Sequence, residues 1–468
     1  MAPEAPGSFS SAPLTLGDAA LFTDLYELTM AAAFFREGVG GSATFSLFVR
    51  RLPPERAFLV AAGLADVLEY LREFRFSTGA LDYLRALGRF EPAFLEHLAA
   101  FRFTGDVRAV REGTVLFADE PLLEVTAPLV EAQVVETAAI NFCHGQTVLA
   151  SKAARSVLAA GGRTLAEFGL RRSHGMDAGM KAARVALMTG FDSTSNVLAG
   201  RVYGAPLSGT MAHSFVAAFP TELDAFRAYA RAFPDGAVLL LDTYDTAAAA
   251  HLAVQVAREL AGEGHRLAGV RLDSGDLTAT SREVRAILDA GGCPDVRIIV
   301  SGGLDEHDVA ALLAAGAPID AFGIGTRLDV SADAPSLDMV YKLVRLGGRD
   351  VLKLSPGKET WVGAKQIIRR LGPDGRLAGD ILALAEEAVP VGAEGLLEPV
   401  MRQGALLRPH PPLAALRTHC ADQLRRLPEG LRRLRDADGY EVTASEGLRA
   451  RQVEAGGGKS GTALAPPR

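Results

Sequence analysis

LAGVRLDSGD (267–276), VRIIVSGG (296–303) and IDAFGIGT (319–326) decide the fold, because each is a short run apolar on both faces that stops at Asp, Ser, Thr or Gly. RTLAEFG (163–169) and VLLLDTYD (238–245) repeat the pattern upstream. Alanine-rich helical stretches such as TAAAAHLAVQVARELAGEG (246–264) and LTATSREVRAILDAGG (277–292) lie between the runs. A strand without a polar face must be covered on both sides, and the intervening helices supply the cover, so the strands are parallel with crossover connections. In such folds the chemistry gathers at the carboxyl ends of the strands, where these polar residues stand. An open doubly wound sheet shares this rhythm, but the first strand-to-helix turn lacks GxGxxG, and a barrel over 161–330 is expected.

Outward from that block the rhythm changes. In residues 15–160, Asp18 is a candidate cap for a helix running through Leu21, Leu25, Leu28 and Ala32. ATFSLFVRRLP reads as a strand ending at Pro53, helices follow near 62–74 and 80–100, and 103–129 alternates like an antiparallel meander. A long helix from about 131 to 160 closes this α+β zone. Residues 331–452 carry a strand–turn–strand pattern with turns at Gly347-Gly348 and Pro356-Gly357, and their strands are expected to rejoin the first zone. Residues 1–14 and 453–468, rich in Gly, Ala, Pro and Ser, read as disordered tails.

Composition narrows the function. The chain has 468 residues, 49% hydrophobic and 22% charged, too apolar for a disordered protein. With 49 Lys+Arg against 56 Asp+Glu the net charge is −7, which argues against a sequence-independent nucleic-acid binder. Cys143, Cys293 and Cys420 show neither disulfide nor zinc spacing. The N-terminus lacks a signal-peptide pattern, no run approaches the roughly 18 apolar residues of a membrane helix, and a soluble cytoplasmic protein is expected. Only seven residues are lysine, and four of them (Lys342, Lys353, Lys358 and Lys365) fall close together, as point charges wanted at a phosphate site or by chance.

Several constellations carry chemistry, each with a plainer alternative. Arg271, Asp273, Ser274 and Asp276 at one strand end suit magnesium and sugar hydroxyls, or an Asp-Ser-Gly turn that caps the next helix. SGGL (301–304) and GIGT (323–326) end successive strands and suit a phosphate on backbone N–H groups, or are simple turns. His213 in GTMAHSF can be a base, a metal ligand or a phosphoryl nucleophile, or a structural histidine; the other eight histidines read as packing or solvent residues. Phe168 with Arg171 in EFGLRRSHG suits a planar ring bearing a carboxylate, against a core Phe beside a surface Arg. TGFDSTSN (189–196) offers hydroxyls to a substrate, or caps a helix.

Together DLYELTM (24–30), EFGLRRSHGMDAG (167–179), GFDSTSN (190–196), GTMAHSF (209–215), VRLDSGD (270–276), GIGT (323–326) and KLSPGK (353–358) resemble the nicotinate phosphoribosyltransferase family, in family order over roughly 20–370. The resemblance implies a type II phosphoribosyltransferase: an irregular α/β barrel joined to an α+β domain formed by the N-terminal and C-terminal segments, working as a homodimer with shared active sites. It implies condensation of nicotinate with phosphoribosyl pyrophosphate, coupled to ATP hydrolysis and assisted by Mg2+, in NAD salvage. His213 matches the phosphorylated histidine, with Asp242 or its rival Asp245 to orient it. Tyr26 (from the partner subunit), Phe168, Arg171, Thr210 and Arg271 match nicotinate positions. Asp273, Ser274, Gly302, Gly303, Gly323, Gly325 and Thr326 match ribose and phosphate positions, and Lys342, Lys353, Lys358 and Lys365 would add charge there. Nicotinamide-using relatives carry an acid near Ser195, where a carboxylate would repel nicotinate, so Ser195 and Asn196 favour the acid substrate. The alternatives are a nicotinamide or quinolinate enzyme on the same fold, a phosphosugar barrel, for which no strand of 161–330 supplies a lysine, and a non-catalytic nucleotide-binding paralogue.

Overall fold

The computed structural model describes residues 16–353 and 360–456. The five apolar runs form strands Thr164–Glu167, Val238–Leu240, Gly269–Leu272, Arg297–Val300 and Ala321–Ile324, and Ser193–Thr194 adds a two-residue strand. All pair in parallel, and the first long strand pairs with the last, Ala321 opposite Thr164 and Ile324 opposite Glu167. Pairing of first with last makes every crossover step the same way round, as in a barrel and unlike a doubly wound sheet, whose strand order reverses. A bridge between Thr194 and Leu207 extends the ring, and among the described residues no ladder joins Leu207 to Val238–Leu240. The barrel is therefore irregular, with one seam, and His213 follows the seam closely in the chain. Leu239, Val270, Ile298 and Phe322 are wholly buried on the strand face opposite Arg271, packed against the covering helices, each worth roughly 1.5–3 kcal/mol of burial.

The second body is a seven-stranded antiparallel sheet in which Met339–Leu346 lies beside Ser42–Val49, then Pro121–Pro128, Asp106–Ala109 and Glu398–Arg402. A four-stranded sheet containing Lys365–Leu371 and Leu377–Leu384 packs with it. Helix Glu136–Ala160, 25 residues and so about 37 Å long, joins the two bodies. Its small residues let it serve both cores: Ala150 and Ala154 face one, Ala153 and Ala160 the other.

Several local expectations are corrected. The first helix runs Leu25–Arg36, and Leu16–Leu21 is a separate 3-10 segment; Asp24 is extended and bonded to Thr137, which breaks the run expected from Asp18. The 80–100 helix is two, Thr78–Ala86 capped by Ser77 and Pro92–Ala99 with its proline at the start. The meander is not one: Asp106–Ala109 pairs with Pro121–Pro128, while Val115–Leu116 turns away to pair with Leu59–Val60. The C-terminal helix Glu446–Ala455, capped by Ser445 and anchored by buried Leu448, passes the boundary expected at 452. The Pro356-Gly357 turn and Lys358 lie outside the described residues. Among the described residues no helix is long and apolar enough to cross a membrane.

Candidate active site

The carboxyl ends of the barrel strands converge on one rim. Asp242, ending Val238–Leu240, accepts at Oδ2 from the Asp273 N–H at 2.8 Å and the Ser274 hydroxyl at 2.6 Å. Asp273 in turn accepts from the Ser301 hydroxyl. One carboxylate thus fixes the neighbouring turn, and that turn fixes the next strand's end. Gly302 sits at φ +98°, and a Cβ there would lie 2.0 Å from the Asp273 carbonyl oxygen, so only glycine lets the two turns stack. Gly303, at φ +72°, faces open space on the rim.

Opposite lies the turn that follows Glu167. The Phe168 ring covers the last barrel strand so closely that a Cβ on Gly323 would stand 2.5 Å from it. Gly325, the cap position before Thr326, lies equally close to the Phe168 carbonyl. The bare backbone expected at these glycines for a phosphate is thus required first by the aromatic ring. Arg171 stands exposed on the same turn.

Arg271, on the Gly269–Leu272 strand, donates through Nη1 to the Thr210 hydroxyl, while its buried Nε has no partner among the described residues. Burial pulls its pKa down, the Asp273 and Asp242 carboxylates push it up, and the like charge of Arg171 pulls it down again. Two guanidiniums within Coulombic reach, one with an unused buried donor, form a site for an anion. Asp242 also keeps Oδ1 buried and unpartnered. Ser195 is half-buried and donates its N–H to the Glu167 carbonyl at 2.9 Å. Asn196 is buried as the cap of Val197–Tyr203 and does not offer its amide to the rim.

His213 is exposed, with Nδ1 3.1 Å from the Thr243 hydroxyl. Neither expected aspartate touches it: Asp242 holds the 273–274 turn, and Asp245 caps the helix Thr246–Gly262. Thr243 lies between them in LLLDTYD, and the only sequence signal for it was its place at a strand end. The lysines also divide. Lys365 is buried, with Nζ 3.3 Å from Glu124 and bonded to the Gly363 carbonyl, so its ammonium belongs to the antiparallel body and not to a phosphate site. Lys342 stands 4.0 Å from Glu136, and Lys353 is exposed. Tyr26 also lies beside Glu136, whose charge, after burial, raises the phenol pKa. Glu136 precedes Lys152, which contacts the barrel's Glu306, by sixteen residues of one helix, about 24 Å. Tyr26 and Lys342 are therefore set apart from the rim of their own chain.

Comparison with known proteins agrees over nearly the whole length. Three family models match: the nicotinate phosphoribosyltransferase N-terminal domain at 21–143, the nicotinate phosphoribosyltransferase family at 164–360, and the C-terminal domain at 389–452. Nicotinate phosphoribosyltransferase pncB2 of Mycobacterium tuberculosis is 50% identical over 429 residues, covering 91% of this chain and 92% of that one. The Homo sapiens nicotinate phosphoribosyltransferase is 37% identical, covering 92% and 95%. The crystal structure of human nicotinic acid phosphoribosyltransferase superposes with a TM-score of 0.83 at 35% identity, over 92% of this chain and 99% of that one.

Proposed function

The chain belongs to the nicotinate phosphoribosyltransferase family, and from that premise we propose that it condenses nicotinate with phosphoribosyl pyrophosphate, coupled to ATP hydrolysis, in cytoplasmic NAD salvage. The pyridine nitrogen attacks the anomeric carbon, the bond from that carbon to pyrophosphate breaks, and nicotinate mononucleotide and pyrophosphate are released. The observation that carries this reading is the guanidinium pair, Arg171 and Arg271, beside the Phe168 ring. A flat anion stacks on the ring while the arginines and Thr210 take its carboxylate.

The leaving pyrophosphate needs charge neutralisation, which magnesium supplies when bound. Asp242, with Oδ1 unpartnered, and Asp273 fit an ion held by one or two carboxylates and by substrate phosphates. The 302–303 turn receives the phosphoribosyl group, with Ser274 and Thr326 nearby on the rim. His213, with Nε2 free of partners among the described residues, takes a phosphoryl group from ATP and releases ADP; water later removes it as phosphate. The two negative charges this adds, roughly, alter the rim's hold on its ligands.

Assembly as a homodimer completes the reading. Leu25, Tyr26 and Met30 are exposed apolar residues of the first helix, and Met176, Val197, Val202 and Leu207 are exposed on segments that follow the first two barrel strands. A two-fold axis joins one set to the other twice, bringing the partner's Tyr26, Lys342 and Lys353 to each rim. The test is pyrophosphate release with nicotinate and with nicotinamide, each with and without ATP. Nicotinate-dependent release stimulated by ATP, with the stimulation lost in His213→Ala, is the expected result. A preference for nicotinamide, or no release, overturns the reading.

A further inference from the structure

Glu167 and Asp329 are two buried carboxyls that belong to no ion pair among the described residues, and both lie against the turn that carries Phe168 and Arg171. Glu167 ends the first barrel strand. Its carboxylate accepts from the Gly169 N–H group and from the Thr194 hydroxyl at 2.5 Å. Asp329, from the last barrel strand's helix, accepts from the Ser173 hydroxyl. Its carboxyl lies so close to Gly169 that a Cβ there would stand 2.1 Å from Cγ. The turn is therefore gripped at its start by one carboxyl and at its end by the other.

Among the described residues no cation pairs with either carboxyl. Cations on the packed elements are engaged elsewhere: Lys152 and Arg155 with Glu306, Lys181 with Asp177, Arg184 with Glu112, and Arg327 with Asp305. Burial raises both carboxyl pKa values, and the charge of Glu167 adds to the rise at Asp329. Asp329 also keeps Oδ1 buried without a partner. A helix cap needs none of this, and an unsatisfied buried oxygen costs about 1–3 kcal/mol.

We propose, resting on the reading above, that Glu167 and Asp329 are positioning residues that hold the 168–173 turn so that ring and guanidinium are set for the pyridine carboxylate before it arrives. Neither touches substrate. Their contribution is to the binding of nicotinate rather than of phosphoribosyl pyrophosphate, whose 302–303 turn lies on another strand. Loss of binding common to ground and transition states appears in KM with kcat little changed.

The experiment is steady-state kinetics of Glu167→Gln and Ser173→Ala beside the wild type, with melting curves. Gln offers one acceptor oxygen to two donors and brings an amide N–H2 against one of them. The expected result is a rise in nicotinate KM of about tenfold for Glu167→Gln and about threefold for Ser173→Ala, with KM for phosphoribosyl pyrophosphate and kcat within about twofold. Should Glu167→Gln not fold, Ser173→Ala decides alone. An unchanged nicotinate KM, or equal changes in both KM values, overturns the proposal. A wild type inactive on nicotinate condemns the functional reading instead.

Discussion

Two charged regions of this molecule use the same residue types to opposite ends. Beneath the joint of the two bodies, Arg56 meets Asp333 at 3.0 Å, Lys152 reaches Glu306 at 2.6 Å and Asp333 at 3.0 Å, and Arg155 meets Glu306 at 2.8 Å. Every ion there faces an opposite one, as burial demands. On the rim, Arg271 feels the like charge of Arg171 as well as Asp273 and Asp242, its buried Nε has no partner among the described residues, and Asp242 keeps an idle oxygen. A balanced cluster is complete without a ligand and fastens segments together. An unbalanced one stays costly until something of opposite charge arrives. The difference separates scaffold from site without reference to any relative.

The largest expected effect breaks the balanced side. Lys152→Met leaves Glu306 and Asp333 facing each other with one cation fewer, and should lower unfolding free energy by about 3–5 kcal/mol in urea titrations. The nicotinate KM of the folded fraction should not change. Next comes the acid sensitivity of a second balanced cluster. Burial raises the Glu112 pKa, but the His410 hydrogen bond and Arg184 outweigh it and hold the carboxyl down to about 2. A depressed carboxylate pKa stabilises the fold fully above the unfolded value near 4.5, and the contribution drains away as pH falls from there toward 2. At about 1.4 kcal/mol per pH unit it amounts to about 3 kcal/mol. The urea midpoint should fall between pH 5 and pH 3, and fall less in Glu112→Gln.

The unbalanced side should answer differently. Arg271→Gln removes a buried charged donor and should lower kcat/KM for nicotinate roughly thirty- to hundredfold, about 2–3 kcal/mol. Its melting temperature should change little, because burial and the like charge of Arg171 offset the support its charge has from Asp273 and Asp242. A destabilised Arg271→Gln would erase the contrast between the two regions.

How legible this was follows from the same physics. Strands buried on both faces have few alternative readings, so the barrel was visible in LAGVRLDSGD and its companions, and the polar residues at their ends marked the rim. Single-residue partners were not visible. Asp242, Thr243 and Asp245 all stand at one strand end, and only the local turn decides which faces His213, which caps the helix and which holds the next turn. Lys365 is scarce in type and close in sequence to other lysines, yet its strand directs it inward to Glu124. Glu167 directly precedes Phe168, yet its role depends on a backbone donor that no side-chain pattern reveals.

The smallest expected effect tests whether the rim is tuned as well as unbalanced. Thr243 gives His213 its one side-chain hydrogen bond among the described residues, at Nδ1, on an otherwise exposed ring. If that bond orients Nε2 toward a phosphoryl donor, Thr243→Val should weaken ATP stimulation by about 1 kcal/mol, roughly fivefold. Turnover without ATP should be unchanged, since neither Phe168 nor the two arginines is touched. Thr243→Ser keeps the hydroxyl and should restore most of the stimulation. A Val variant with full stimulation would mean that the exposed imidazole needs no holding, and the histidine would then differ in kind from the gripped turn across the rim.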